Sequence, residues 1–337
     1  MTKERNELMR TTILFGGTNT ERLVSVATAQ ALQAALPEAG LWFWDIDDTV
    51  HEVRPEKLQS HARPFEQPFK PGDHGIGGIE QALDRAKAEQ RLLVLGLHGG
   101  MAENGELQAM CEMREIPFTG SGSASSHLAF DKVAAKRFAA IAGVKAPAGI
   151  GLEDLETALA EYGRLIAKPA RDGSSYGLIF VNSTQDIVAV RNAARTEDYL
   201  IEPLISGVEA TCGVLEQPDG TVISLPPIEI VPADGGFDYT AKYLLKSTQE
   251  ICPGRFSSEI SAQLMDQALK AHKALSCSGY SRTDFIVSEQ GPIYLETNTL
   301  PGLTKASLFP KALKAHGIEF VDFLRDQIVL AERRTHK

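Results

Sequence analysis

The sequence predicts an α/β protein that turns α+β toward its carboxyl end. Three observations carry that expectation. Strand and helix patterns alternate through the first third, a compact strand–loop–strand–helix–strand block fills the middle, and hairpins around one long helix dominate the rest. In the first third "TTILF" reads as a buried strand, "GGTNT" as a loop, "ERLVSVATAQALQAAL" as a helix and "LWFWDI" as a second strand. A Pro/Gly-rich stretch, "HARPFEQPFKPGDHGIGG", separates these from a helix around "IEQALDRAKAEQ" and the apolar strand "RLLVLGL". This βαβ order predicts an open, largely parallel sheet, and such sheets bind ligands beyond the carboxyl ends of their strands. The loops at that edge are "GGTNTER" and "HGGMAENGE".

The middle block opens with the helix "DKVAAKRFAAIAG", with Gly143 at its C′ position. Strand "RLIAKPA", loop "RDGSSYG", strand "LIFV", a helix capped by Ser183 and strand "DYLIEPLI" follow. The last third holds the hairpin "ATCGVLEQPDGTVISL", which turns at Pro-Asp-Gly. After it come the long helix "EISAQLMDQALKAHKALSCSG", a second hairpin "DFIVSEQGPIYLETN" and the amphipathic helix "GIEFVDFLRDQIVLAERR".

Composition narrows the function. A net charge of -10 argues against nucleic acid or an anionic membrane as the main partner. The amino end, "MTKERNELMR", lacks the apolar core of a signal peptide, and no apolar run approaches the ~20 residues of a membrane helix. The cysteines Cys111, Cys212, Cys252 and Cys277 form no C-x-x-C pair, which fits reduced thiols rather than a disulfide framework or a zinc site. The expectation is a cytoplasmic enzyme or binding protein.

The second hairpin contains a conflict. Its "FIV" and "IYL" runs call for burial, yet Asp284, Glu296 and Asn298 sit at their ends. With the turn centred on Gln290, Asp284 faces Glu296 and Arg282 faces Asn298. Alternation puts these four on one face and Phe285, Val287, Ile293 and Leu295 on the core face. Two carboxylates placed opposite each other repel unless something positive lies between them. A hard divalent cation such as Mg²⁺ suits two carboxylates and an amide oxygen; a polar sheet face neutralised by Arg282 alone is the competing explanation. Elsewhere, Lys168 precedes the Gly/Ser loop, whose N–H groups could cradle phosphate or simply form a surface turn. Lys132 and Lys136 share one helix face, and Lys242 and Tyr243 follow the Gly-rich "DGGFD".

Taken in order, "LFGGTNTERLVS", "HGGMAENGELQAM", "PFTGSG", "DKVAAKR", "AKPARDGSSYG", "LIEPLISGVE", "FDYTAKY", "CPG", "RTDF" and "ETNTLPGLTKASLFP" resemble the D-alanine–D-alanine ligases of the ATP-grasp superfamily, nearly end to end. The resemblance implies a three-domain ATP-grasp fold: a substrate domain at 1–120, a central lobe at 121–202 and a catalytic, metal-binding domain at 203–337. It implies ATP-dependent joining of two D-alanine molecules through an acyl phosphate, for peptidoglycan synthesis, by a cytoplasmic homodimer. Lys132, Lys168, Ser174, Ser175 and Lys242 would meet the phosphates. Glu202, Pro203 and Ile205 would border the adenine, with Glu209 on the ribose. Asp284, Glu296 and Asn298 would hold two Mg²⁺ ions, with Mn²⁺ able to substitute. Glu21 would anchor the first ammonium, Arg282 and the Gly302 N–H the oxyanion, and Ser307 and Leu308 the second carboxylate. Ser174 and Tyr243, with Glu21, would orient the second amine near His98.

Three positions depart from the family pattern. Pro203 stands where a nucleotide-touching lysine is common, Leu23 where a second acid is common, and Lys305 adds charge beside the second carboxylate site. Two competing functions share the fold: a ligase for other amino or hydroxy acids, and a silent nucleotide-binding homologue.

Overall fold

The computed structural model describes residues 10–72, 74–171, 177–232 and 248–335. The first unit comprises β1 (Arg10–Gly16), α1 (Arg22–Ala35), β2 (Gly40–Trp44), β3 (Val50–Glu52), α2 (Pro55–Gln59), β4 (Gly75–Gly77), α3 (Ile79–Ala88) and β5 (Arg91–Leu95). They form a five-stranded sheet in the order β4-β3-β2-β1-β5. β1 pairs parallel with both β2 and β5, as the βαβ pattern requires. Ile13, Leu14 and Phe15 of β1 are buried on both faces, the usual state of a central parallel strand. The other edge is antiparallel: the turn closed by the Asp45 N–H on the Thr49 carbonyl at 2.8 Å folds β3 back beside β2, and the later Pro/Gly-rich stretch lays β4 beside β3. Gly16 ends β1 with φ +100°, and any side chain there would strike the Trp44 carbonyl.

Next come α4 (Glu106–Met113), α5 (Ser123–Phe130), α6 (Lys132–Ile141), α7 (Leu155–Tyr162), β6 (Leu165–Pro169), β7 (Ile179–Val181), α8 (Thr184–Ala193) and β8 (Tyr199–Pro203). The strands make a three-stranded antiparallel sheet, β7-β6-β8. Asp131 caps α6 by accepting the Ala134 N–H at 3.0 Å, and Gly143, at φ +81°, follows its end. Asp186 accepts the Ser183 N–H at 2.9 Å, completing the capping box at the start of α8.

The final unit holds β9 (Val208–Glu216), β10 (Val222–Ser224), β11 (Ile228–Val231), β12 (Gln249–Ile251), α9 (Ser258–Ala274), β13 (Tyr280–Ser288), β14 (Gly291–Asn298), α10 (Leu308–His316) and α11 (Phe320–Thr335). Its antiparallel sheet runs β12-β11-β9-β13-β14, with β10 on β9. α9 buries Leu264, Gln267, Ala268 and Ala271, a spacing that keeps one helix face on the sheet. Ala139 of α6 and Val144 join that same core beside Phe285 and Tyr294, so α6 packs on this sheet.

The hairpin β13–β14 differs from its expected form in one instructive way. The turn is Glu289–Gln290, with Ser288 opposite Gly291, so the pairing starts out of the expected register: Ile286 faces Ile293 and Phe285 faces Tyr294. An irregularity between Asp284 and Phe285 then takes up Leu295 as an extra residue. Beyond it Asp284 faces Glu296 and Arg282 faces Asn298, as expected. The bulge moves the core position on β14 from Ile293 and Leu295, which are only partly buried, to Tyr294, which is fully buried.

Candidate active site

Side chains from all three sheets converge. At the carboxyl end of β1, Asn19 receives the Glu21 N–H on its side-chain oxygen at 2.8 Å, and its amide donates to the His98 carbonyl at 2.8 Å. The loop after β1 is thereby tied to the loop after β5. Gly99, at φ +65°, passes so close to Glu21 that a side chain would collide with its carboxylate. His98 is buried, its Nε2 2.8 Å from the Thr28 hydroxyl. Burial, and then the Arg282 charge, push its pKa down to about 4, so the imidazole is neutral at pH 7.

Glu103, from the same loop, was not singled out by motif. Burial first, then the Glu21 carboxylate, push it up to about 7, against the Gly99 N–H, which holds it down. With Lys132, Glu296 and Asn298 it lines a cavity of about 30 Å³, room for one water-sized group. The signal that could have found it is its place in a Gly-rich loop at the carboxyl edge of a parallel sheet.

On the hairpin, Arg282 grips Asp284 through two bonds of 2.8 Å, Nε to Oδ1 and Nη2 to Oδ2. Asp284 also accepts from the Thr211 hydroxyl at 2.6 Å and the Asn298 amide at 3.1 Å. Glu296 lies 3.7 Å from Lys132 Nζ. Arg282 therefore neutralises Asp284 directly. Among the described residues, no group of three or more His, Cys, Asp or Glu side chains gathers as a metal cluster. The set here is two facing carboxylates and an amide, hard oxygen donors that fit Mg²⁺.

The second sheet contributes a buried charge cluster. Glu202 is 1% exposed and lies between Lys136 Nζ at 2.6 Å and Lys168 Nζ at 3.1 Å. Burial, and next the Lys168 charge, lower Lys136 to about 8. Pro203 pairs with Leu165 at the end of β8, and Ile205 and Glu209 lead into and along β9. Across the site, a side chain at Gly302 would crowd the Ser307 hydroxyl and come against the His98 ring. Ser307 is the N-cap of α10, Leu308 its first residue, and the Ser307 hydroxyl accepts the Thr304 N–H at 3.1 Å. N–H groups at a helix N-terminus such as that of α10 can receive an anion. Lys305 is exposed, and Leu23 and Pro203 are partly buried. Ser174, Ser175, Lys242 and Tyr243 lie outside the described residues.

Residues 10–121 match the family model described as D-ala D-ala ligase N-terminus, and residues 155–329 match the one for D-ala D-ala ligase C-terminus. The chain belongs to the D-alanine–D-alanine ligase family. A family member from Nitrosomonas europaea is 35% identical over 316 residues, covering 91% of this chain and 92% of its own. One from Syntrophotalea carbinolica is 34% identical, covering 94% and 95%. Among solved structures, the VanG D-Ala:D-Ser ligase of Enterococcus faecalis superposes with a TM-score of 0.81 at 28% identity, covering 96% of this chain and 99% of its own. The D-alanine–D-alanine ligase of Bacillus anthracis complexed with ATP superposes at 0.72 and 28%, covering 97% and 98%. The three-sheet arrangement is accordingly the ATP-grasp fold of this ligase family.

Proposed function

We propose that this ligase-family chain joins two D-alanine molecules at the expense of ATP, as a cytoplasmic homodimer serving peptidoglycan synthesis. The observation that carries the reading is the convergence of Glu21 and His98, Lys132 with Glu296, and Arg282 with Asp284 and Asn298 around the loop ending at Gly302. In this reading, residues 1–120 supply the first-substrate pocket, 121–202 the phosphate-facing lysines, and 203–337 the metal and oxyanion face. None of the described helices is long and apolar enough to cross a membrane.

The chemistry runs in two steps. The first D-alanine, its ammonium held by Glu21, turns its carboxylate on the γ-phosphorus of ATP; the P–O bond to ADP breaks and an acyl phosphate forms. Lys132, Lys168 and Lys242 neutralise the phosphates, Ser174 and Ser175 close on them, and Glu202, Pro203, Ile205 and Glu209 hold the nucleoside. Asp284, Glu296 and Asn298 would hold two Mg²⁺ ions, with Mn²⁺ able to replace them, and these would supply charge neutralisation during that transfer. The second D-alanine, its carboxylate on Ser307 and the Leu308 N–H, attacks the acyl carbon. Arg282 and the Gly302 N–H receive the developing oxyanion. Its bidentate pair with Asp284 fixes the plane of the guanidinium before substrate arrives. The amine loses a proton, guided by Ser174, Tyr243 and Glu21, and phosphate departs. His98, being neutral, adds no charge beside that carboxylate.

The test is ATP-dependent phosphate release with D-alanine alone. Release at a rate comparable to D-alanine mixed with other acceptors supports the proposal; release only when D-serine or D-lactate is added assigns another second substrate. The likeness to a D-Ala:D-Ser ligase makes D-serine the specific competitor. No turnover with any pair would leave a silent nucleotide-binding protein.

A further inference from the structure

Glu202 is held by two ammonium groups that are not equivalent. Lys168, on β6 just before residues 172–176, has a side chain 14% exposed, against 7% for Lys136. Lys136 is fixed from behind: its Nζ donates to the Tyr294 carbonyl at 3.3 Å and lies 5.8 Å from the centre of the Tyr294 ring. It sits one helical turn after Lys132, on the face of α6 that packs against β14. Lys168 has the more open side chain of the pair; Lys136 is anchored in the core.

We propose that Lys136 is a positioning residue for the nucleotide, the permanent counter-ion that keeps the Glu202 carboxylate ionised and in place when Lys168 turns to phosphate. The inference rests on the nucleotide reading of Glu202 and Lys168 given above. A single ammonium cannot fully satisfy a phosphate and a buried carboxylate at once. With Lys168 drawn away and Lys136 absent, Glu202 would be a buried, unpaired charge and would take up a proton instead. A carboxylate can only accept hydrogen bonds, which suits the 6-amino group of adenine. A protonated carboxyl can donate, which suits the 6-oxo group of guanine. Lys136 thus acts through Glu202 on both nucleotide affinity and purine choice.

Calorimetry with ADP and Mg²⁺, and with GDP and Mg²⁺, tests this on the intact chain. Lys136→Met, which keeps the length and removes the charge, should weaken ADP binding by about tenfold and narrow the ADP/GDP ratio, while Lys136→Arg restores both. In a Glu202→Gln background there is no carboxylate to neutralise, so adding Lys136→Met should change ADP affinity by less than about twofold. Where Lys136→Met folds poorly in either background, Lys136→Gln, which removes the charge but keeps a hydrogen-bond donor, takes its place in both arms of that comparison. Unchanged ADP affinity in folded Lys136→Met, or an equal loss in both backgrounds, would overturn the proposal. Turnover of the unsubstituted chain with D-alanine and ATP is measured separately, so a failed ligase reading and a failed role for Lys136 give different results.

Discussion

Asp284 and Glu296 face each other across two strands, yet different cations attend them: Arg282 grips the first, and Lys132 stands 3.7 Å from the second. Removing one charge at this point should be costly. Glu296→Gln is expected to lower turnover about a hundredfold or more, since even the groups that only support metal ligands cost up to ~100-fold when changed. Near-normal activity in that variant at limiting Mg²⁺ would refute the metal assignment. A cleaner electrostatic test lies away from the site, at His272, which is buried with Nδ1 2.8 Å from the Ser281 hydroxyl. Burial, then the neighbouring Lys273, push its pKa down to about 4 from 6.5. The unfolded chain binds a proton below pH 6.5 that the folded chain refuses, so stability falls as pH drops from about 6.5 toward 4 and is flat above. At pH 5 the loss from this one group is about 2 kcal/mol. Urea unfolding at pH 7 and pH 5 should therefore show a smaller difference for His272→Gln than for the parent; equal differences would disprove the assignment.

The bulge in β14 acts at the level of the whole element. Leu295 is the extra residue, and it separates Tyr294, which fills the core against Phe285, from Glu296, which faces Asp284. Without Leu295, a regular hairpin with the same turn would keep both pairings but lose the added twist by which bulges re-aim a side chain. Deleting Leu295 should consequently destabilise the chain by only about 1–2 kcal/mol, while turnover falls by about a hundredfold through misplacement of Glu296. Thermal unfolding and phosphate release, measured on one preparation, separate the two effects; a parallel loss of both would mean the bulge serves folding alone. The helix α6 makes a similar point. Lys132 and Lys136, expected from their spacing to share a face, are both buried, and each meets a carboxylate from a different sheet.

Across the molecule, the first and third sheets share one continuous core. Ile13, Leu14 and Leu93 belong to the same cluster as Tyr280, Phe309 and Phe323. The carboxyl-terminal α11 closes this seam: Arg334 donates to the carbonyls of Phe118, at 3.0 Å, and Gly120. The proposed substrate pocket spans that seam, with Glu21 and His98 on one side and Arg282 and Gly302 on the other. The proposed nucleotide site lies instead between the second and third sheets. Arg334→Met should cost about 1–3 kcal/mol of stability and raise the KM for D-alanine while leaving ADP affinity unchanged. If both move together, the seam does not position the substrate pocket independently.

The sequence alone was enough to indicate the alternating first unit, the helix-end signals at Gly143 and Ser183, and the pairing of Asp284 with Glu296, because periodicity and turn chemistry are properties of neighbouring residues. Its motifs, read in order, also pointed to the family. Tertiary structure decided the rest. The antiparallel edge made by β3 and β4, the burial of Tyr294 in place of Ile293 and Leu295, the raised Glu103 and the Lys136–Glu202–Lys168 cluster all depend on segments far apart in the chain. No local pattern encodes such contacts, since a charge's partner and its burial are set only when separate elements pack together.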